Sequence, residues 1–450
     1  MPNFFPLFVD LSHRKIVVIG GGKIATRRIG TLLNFVQKFV VIAKDFSSEL
    51  LEKSDLLQLI QKPFDFSDLE GLTSQDLVLA LTNNDMLNQD IALWCKERNI
   101  LVNISTNKAL CSFYFPGIAT HGGIVTGITA NGQNHKKARY MRERIEEAMK
   151  KEIVIGTRES KLAVIQSEMV LDFIHAQKLD AKLLPMKTTG DIILDRTLDK
   201  IGGKGLFTKE LDKALLDHRS DLSVHSLKDV PMEIPKDFPL IGYSKREDPR
   251  DVLILPDGVD TLDFTKPIGC SSFRRVLQLK TLYPQAQFCP IRGNVITRLE
   301  KLDRGEYGAL VLAAAGVKRL NLSHRISKYF DPKEILPAAG QGIVAIQGRL
   351  NDNYAYLDGF FDQDAFYMAT AERAFVKTLD GGCSSPIAAF STLSNGQISL
   401  EGLYYIEATD TFFKETMTMD VEDSEKLGIT LANNMKSKAN GCTIKSNEEV

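Results

Sequence analysis

Short runs of β-branched residues, each closed off by polar residues or glycine, recur along the first 130 positions. Lys15-Ile16-Val17-Val18-Ile19 is the clearest, an apolar stretch of the kind buried on both faces of a sheet. Phe39–Ala43, Leu77–Leu81, Leu101–Ile104 and Ile124–Ile128 repeat the pattern. Between them the spacing becomes helical. Ile24, Ile29, Leu32, Leu33 and Val36 supply one buried side, and a second helix is expected near Met86–Glu97. Strands alternating with helices predict a doubly wound parallel sheet. His135–Lys151 then spaces Ala138, Met141, Ile145 and Ala148 at helical intervals on a charged surface. A connecting helix, a dimer contact and a helix packed on its own domain all fit that spacing. At Ile153-Val154-Ile155 the strand signal restarts, and a helix follows with Leu162, Ile165, Met169 and Ile174 turned inward. No Gly/Ser/Pro linker intervenes, so a boundary near residue 150 rests on this restart.

The chain has 450 residues and a formal net charge of −1. That length suggests roughly three domains of ~150 residues. With 44% hydrophobic and 25% charged residues, each can bury a core. No apolar run approaches the ~20 residues that span a bilayer, and Met1-Pro2-Asn3-Phe4-Phe5 does not read as a signal peptide. Six scattered cysteines with no Cys-x-x-Cys pair argue against zinc and a disulfide framework, which fits a reducing cytoplasm. One stretch departs from this neutral background. Between Asp263 and Glu300 there is no acidic residue, but there are Lys266, Arg274, Arg275, Lys280, Arg292 and Arg298. Planar guanidinium forks bind carboxylate or phosphate through paired hydrogen bonds. The stretch reads as a pocket for a ligand with several negative groups, or as a solvated basic face.

The first strand runs into Gly20-Gly21-Gly22-Lys23-Ile24-Ala25, a match to G-x-G-x-x-[GA] through Gly20, Gly22 and Ala25. Such glycines let the backbone approach a pyrophosphate at a helix N-terminus. Asp45, just past the second strand, lies where a ribose would meet a carboxylate. NAD binding is expected; a Rossmann-like fold without a ligand is the alternative. Pro6-Leu7-Phe8, Gly20-Gly21-Gly22, Ala25-x-Arg27-Arg28, Thr82-Asn83-Asn84, Asn103 and Ser112-Phe113 together resemble the amino-terminal domain of siroheme synthases, the NAD-dependent precorrin-2 dehydrogenases. The resemblance implies oxidation of precorrin-2. It departs at Thr106, where that family usually carries an Asp proposed as general base and chelation residue. A hydroxyl cannot replace a carboxylate base at neutral pH, which speaks against iron insertion and leaves dehydrogenation open.

In the second half, Thr157-Arg158 ends a strand and Ser160 caps the next helix, a natural anion site. Gly202-Gly203-Lys204-Gly205 is glycine-rich without Walker spacing and suits a mobile, cation-bearing loop. A strand over Leu222–Val224 is expected to deliver His225, Lys228 and Asp229 onto a turn before Pro231. Asp229 beside Lys228 could stabilise a developing cation and pass a proton, or be an ordinary surface turn. Cys383, on the loop Asp380-Gly381-Gly382-Cys383, reads as a covalent attachment point or a plain free thiol.

These motifs, with Arg246-Glu247-Asp248-Pro249-Arg250-Asp251, Ser271-Ser272-x-Arg274-Arg275, Arg292-Gly293-Asn294-Val295 and Gly340-Gln341-Gly342, closely resemble porphobilinogen deaminase over residues 151–450. The resemblance implies a dipyrromethane cofactor held through a thioether to Cys383, and head-to-tail joining of four porphobilinogens to hydroxymethylbilane. It assigns Arg158, Ser160, Arg274, Arg275, Arg292 and Arg298 to the cofactor. Arg158, Arg292, Arg298, Arg319 and Lys204 go to substrate, and Asp229 with Lys228 to catalysis. No metal is needed in this half. The implied α/β architecture has a Rossmann-like doubly wound domain at 1–150. Two periplasmic-binding-protein-like α/β domains follow, at 151–245 with a return at 343–360 and at 250–338, then a small α+β domain at 364–450. The expected partners are small molecules, porphobilinogen and precorrin-2, with no nucleic acid and no membrane; a homodimer through the first domain is left open. A non-catalytic anion receptor would share the basic cleft but would not need Cys383. Nucleic-acid binding is discouraged by the near-zero charge and the scant aromatic interleaving.

Overall fold

A computed structural model describes residues 5–130, 134–192, 207–381 and 386–447. The chain separates between Lys151 and Glu152 into two compact units.

The first unit is built on β1 (Ile16–Ile19), β2 (Val40–Ala43), β3 (Gln58–Gln61), β4 (Leu77–Ala80) and β5 (Leu101–Ile104). They form a parallel sheet in the order β3-β2-β1-β4-β5. Successive residues of β1 serve two different cores because side chains alternate across a strand. Val17 and Ile19 join Ile91 and Cys95 of helix Asp85–Glu97, while Ile16 and Val18 join Ile29 and Leu32 of helix Lys23–Leu32. A run apolar at every position is therefore what a sheet covered on both faces requires.

Two sequence expectations need correction here, and one strand goes unannounced in the sequence. Ile24 is 44% exposed, since the buried face of its helix is defined by Ala25, Ile29 and Leu32. Ile124–Ile128 (β7) does not enter the parallel sheet. It pairs antiparallel with Gly117–His121 (β6) across Gly122-Gly123, whose φ values of 56° and 82° make the tight turn. The edge strand β3 was not anticipated, because its two apolar residues are flanked by glutamines. Helix His135–Met149 has no buried residue.

The second unit contains two five-stranded sheets of equivalent layout. One uses β8 (Ile153–Arg158), β9 (Ala181–Met186), β10 (Leu222–Ser226) and β11 (Leu240–Tyr243). The other uses β12 (Asp251–Ile254), β13 (Ile268–Gly269), β14 (Phe288–Cys289), β15 (Ala309–Ala313) and β16 (Lys328–Tyr329). With β17 (Val344–Gly348), the orders are β9-β8-β10-β17-β11 and β14-β13-β15-β12-β16. In each lobe the fourth strand runs antiparallel to its neighbours and directly follows a crossing from the other lobe. Met169, expected inward, is 38% exposed; Gln166, Ser167, Val170 and Ile174 form the buried side of helix Lys161–Ala176.

The last part is a meander of β18 (Ala388–Ser394), β19 (Gln397–Ile406) and β20 (Thr411–Asp420). It packs on helices Gln363–Thr378 and Ser424–Asn447 around Phe375, Leu400 and Leu427. The two helices touch at Gly428, where a methyl group would overlap the Ala371 carbonyl oxygen and lie 2.8 Å from the Phe375 nitrogen. Helix propensity alone favours Ala over Gly by ~1 kcal/mol. Backbone contact should win: Gly428→Ala is expected to destabilise by about 1–3 kcal/mol in chemical denaturation.

Candidate active site

In the first unit the three glycines have different tasks. Gly20 has φ +124°, and a methyl there would lie 2.6 Å from the Leu81 carbonyl oxygen. At Gly21 a methyl would overlap the Asp45 carbonyl oxygen. Gly22 instead faces open space, in extended conformation, as the N-cap of helix Lys23–Leu32 without a side-chain cap. Uncapped N–H groups beside an unobstructed backbone suit a pyrophosphate. Ala25 is buried behind this turn, and Asp45 is exposed just beyond β2. Arg28, Asn103 and Phe113 form a cluster of their own. Arg28 donates to the Asn103 side-chain oxygen and stacks on Phe115 at 5.4 Å, and Asn103 donates to the Phe113 carbonyl at 2.7 Å. Thr106 is exposed.

In the second unit β8 ends at Arg158, which stacks on Phe207 at 4.1 Å, and the Ser160 hydroxyl accepts from the Ala163 N–H at 3.4 Å. β10 extends two residues beyond the expected Val224, so His225 lies in the strand and not on the turn. Lys228 and Asp229 follow in a single 3₁₀ turn, Leu227–Asp229. Leu227 is fully buried and donates to the Ile343 carbonyl at 3.0 Å. On the far side, Arg373 donates to the carbonyls of Val230 (3.2 Å), Pro231 (2.6 Å) and Met232 (3.4 Å). The turn carrying Asp229 is thus fixed at both ends by other segments.

His225 is buried with Nε2 3.0 Å from the Gln347 side-chain oxygen, while the Gln347 amide N–H donates to the Phe238 carbonyl at 2.9 Å. That arrangement puts the ring proton on Nε2. Burial, reinforced by Arg158, lowers the His225 pKa to about 4, so the ring is neutral at pH 7. Burial likewise draws Lys228 down to about 8; Asp229 resists the shift and Arg275 and Arg274 add to it.

Arg274 and Arg275 open helix Phe273–Leu282 and are buried. Both are paired with Asp251, at 2.8 and 2.7 Å. Sequence reading reserved them for external acids and missed this internal partner. Burial opposes the Asp251 charge, but the two arginines outweigh it and hold its carboxyl well below the usual carboxylate range. Arg298 donates from Nε to the Gly293 carbonyl at 2.8 Å and feels the charges of Arg275, Arg292 and Asp229. Asp229 also acts on His225, Lys228 and Arg275. Arg158, Lys228, Arg274, Arg275, Arg292 and Arg298 are therefore linked electrostatically in one region, in which Asp229 and Asp251 are the acids that act on them among the described residues. Arg319 is placed differently, donating to the Gly342 carbonyl at 2.8 Å near Glu247. Lys204 and Cys383 lie outside the described residues.

Glu372 was not anticipated. Fully buried, it accepts from Arg246 (2.8 and 2.6 Å), the Gly340 N–H (2.7 Å) and the Ser391 N–H and hydroxyl (2.8 and 2.7 Å).

The family described as "Porphobilinogen deaminase, dipyromethane cofactor binding domain" matches residues 153–356, and "Porphobilinogen deaminase, C-terminal domain" matches 366–437. The Alkaliphilus oremlandii porphobilinogen deaminase is 53% identical over 288 residues, 64% of this chain and 97% of that protein. The Clostridium botulinum (strain Langeland) enzyme is 42% identical over 285 residues, 62% and 97% of the two chains. The chain belongs to the porphobilinogen deaminase family. An NAD(P)-binding family matches residues 7–117. A solved structure titled "SirC, precorrin-2 dehydrogenase" aligns at 21% identity over 38% of this chain and 81% of that one, with a TM-score of 0.28.

The deaminase cofactor is dipyrromethane, and the donor set fits it. Each of its pyrroles brings carboxylate side arms, and a cluster rich in arginine supplies paired donors for them. In the deaminase the Lys228 ammonium is charged below its pKa of about 8 and neutral above it. The KM for porphobilinogen should therefore rise as pH climbs through 8. Lys228→Arg, which stays charged, should move that rise upward by about one pH unit or more. An unmoved limb in steady-state kinetics would assign the titration elsewhere.

Proposed function

We propose that residues 152–450 hold dipyrromethane through Cys383 and polymerise porphobilinogen at the cluster around Asp229. The placement of Asp229 within electrostatic reach of Lys228, Arg275 and Arg298, on a turn held by Ile343 and Arg373, carries the reading. Arg158, Arg274, Arg275, Arg292 and Arg298, with Ser160, grip the acid side arms of the bound chain. Lys204 and Arg319 assist with incoming substrate. The cofactor supplies the terminal pyrrole that is extended. When porphobilinogen in its ammonium form loses ammonia, its C–N bond breaks with the electron pair on nitrogen and leaves a cation conjugated with the ring. Asp229 stabilises that cation electrostatically and takes the proton released on coupling. Arginines neutralise the side arms without titrating, which lets Asp229 be the group that exchanges a proton. Asp229→Asn should keep the fold and the bound cofactor, seen by intact mass, while kcat falls about 10²-fold or more. Near-normal turnover would remove Asp229 from the chemistry.

The first unit binds NAD at Gly20, Gly22, Ala25 and Asp45 and oxidises precorrin-2. Support comes from the open Gly22 at an uncapped helix N-terminus with Asp45 beyond the neighbouring strand. Thr106 favours a second reading, a unit that binds the dinucleotide without turnover. Helix His135–Met149, with Tyr140 and Met141 exposed, is its candidate homodimer contact. Among the described residues no helix is long and apolar enough to cross a membrane, and we place the protein in the cytoplasm. NAD-dependent oxidation of precorrin-2 by the purified chain separates the two readings. It should be lost in Gly22→Asp, whose carboxylate would occupy the pyrophosphate position, and titrations should show NAD binding weakened about tenfold or more. Binding without oxidation in the parent would select the second reading.

A further inference from the structure

Asp251 is the first residue of β12, placed where the chain enters the second lobe. Its side chain is fully buried. Oδ1 accepts from Arg275 Nε (3.0 Å), Arg275 Nη2 (2.7 Å) and Gln341 Nε2 (2.8 Å), and Oδ2 accepts from Arg274 Nη2 (2.8 Å). Each guanidinium has a second anchor on the main chain. Arg275 Nη1 donates to the Val311 carbonyl at 3.1 Å, and Arg274 Nη1 donates to the Leu336 carbonyl at 2.5 Å. A planar fork held at a carboxylate and a carbonyl cannot swing or rotate freely.

Two further observations go beyond an ordinary ion pair. Arginine has five N–H donors, and Arg275 spends three on these contacts, which leaves two. The charges it meets from other segments are those of Asp229, Lys228 and Arg298, so it belongs to the reaction cluster as well as to Asp251. The third donor on Asp251, Gln341, comes from the return crossing between the lobes and also donates to the Pro249 carbonyl at 2.6 Å on the outward crossing. One carboxylate therefore touches both arginines and both crossings.

We propose that Asp251 is a positioning residue of the deaminase, aiming the Arg274 and Arg275 forks at the acid side arms of the bound pyrrole chain while Gln341 ties that aim to the lobe crossings. The inference rests on the reading that these arginines hold those side arms. Adjacent cations on one helical turn repel each other, and the carboxylate between them offsets the repulsion while setting the direction of the remaining donors.

The test compares Asp251→Glu with Asp251→Asn in the full chain, by thermal midpoint, cofactor content from intact mass, and KM and kcat for porphobilinogen. Asp251→Glu keeps the charge but advances the carboxylate by one methylene. It should stay within a few degrees of the parent midpoint while KM rises about tenfold or more, because a shift of this size in aligned groups is costly. Parent-like KM in Asp251→Glu would show that charge balance alone is needed, and would overturn the proposal. So would parent-like KM and cofactor content in Asp251→Asn. If neither variant folds, Gln341→Leu decides, since it leaves both ion pairs and removes one donor. A KM raised about threefold supports the proposal, and an unchanged KM overturns it. Arg275→Ala, measured alongside, separates the two layers. Parent-like kinetics there would defeat the side-arm reading itself, whereas an impaired Arg275→Ala with a parent-like Asp251→Glu defeats only the role given to Asp251.

Discussion

A carboxylate with no access to water must be met by donors on every side, and Glu372 imposes that demand on three separate segments. Arg246 arrives from the outward crossing between the lobes, Gly340 from the return crossing, and Ser391 from β18. Leaving such a charge unpaired would cost about 3–5 kcal/mol, so the segments are required to assemble together. The next residue on the same helix, Arg373, reaches to the three carbonyls that follow Asp229. Consecutive positions of helix Gln363–Thr378 thereby connect the lobe crossings to the turn that carries Asp229.

The charge design around Asp229 follows from the same economy. Most cations of the cluster are arginines, which remain charged under burial. Among the described residues the nearby bases that can titrate, His225 and Lys228, have both been drawn downward in pKa by burial. A neutral His225, oriented by Gln347, adds no competing positive charge beside Asp229. Asp251 prevents the arginine pair from repelling itself out of position. Negative ligands then meet a fixed array that needs little reorganisation on binding.

Much of this could be read in the sequence, for identifiable reasons. Short, mostly apolar runs located β1, β4 and β5, and Ser160 after the end of β8 marked the capped start of helix Lys161–Ala176. Burial of Ile24 and Met169 was misjudged because helical spacing admits more apolar positions than one face can cover. The acids proved hardest. Nothing around Asp251 or Glu372 in the chain signals that their partners lie far away, at Arg274, Arg275 and Gln341 or at Arg246 and Gly340. Asp251 stands out only as part of the Arg246–Asp251 motif, and Glu372 looks like any helical glutamate. Lys204 and Cys383 were singled out from glycine-rich context but fall outside the described residues.

The strand layout has a consequence for how the molecule is made. The first lobe's sheet has a gap between β10 and β11 that only β17 fills, and β17 is translated after the entire second lobe. A nascent chain emerging from the ribosome therefore holds an unfinished sheet, with two open edges, for nearly a hundred residues of synthesis. The second lobe has no such wait, since all its strands lie within one continuous stretch, and it can close first and hand its partner the missing piece.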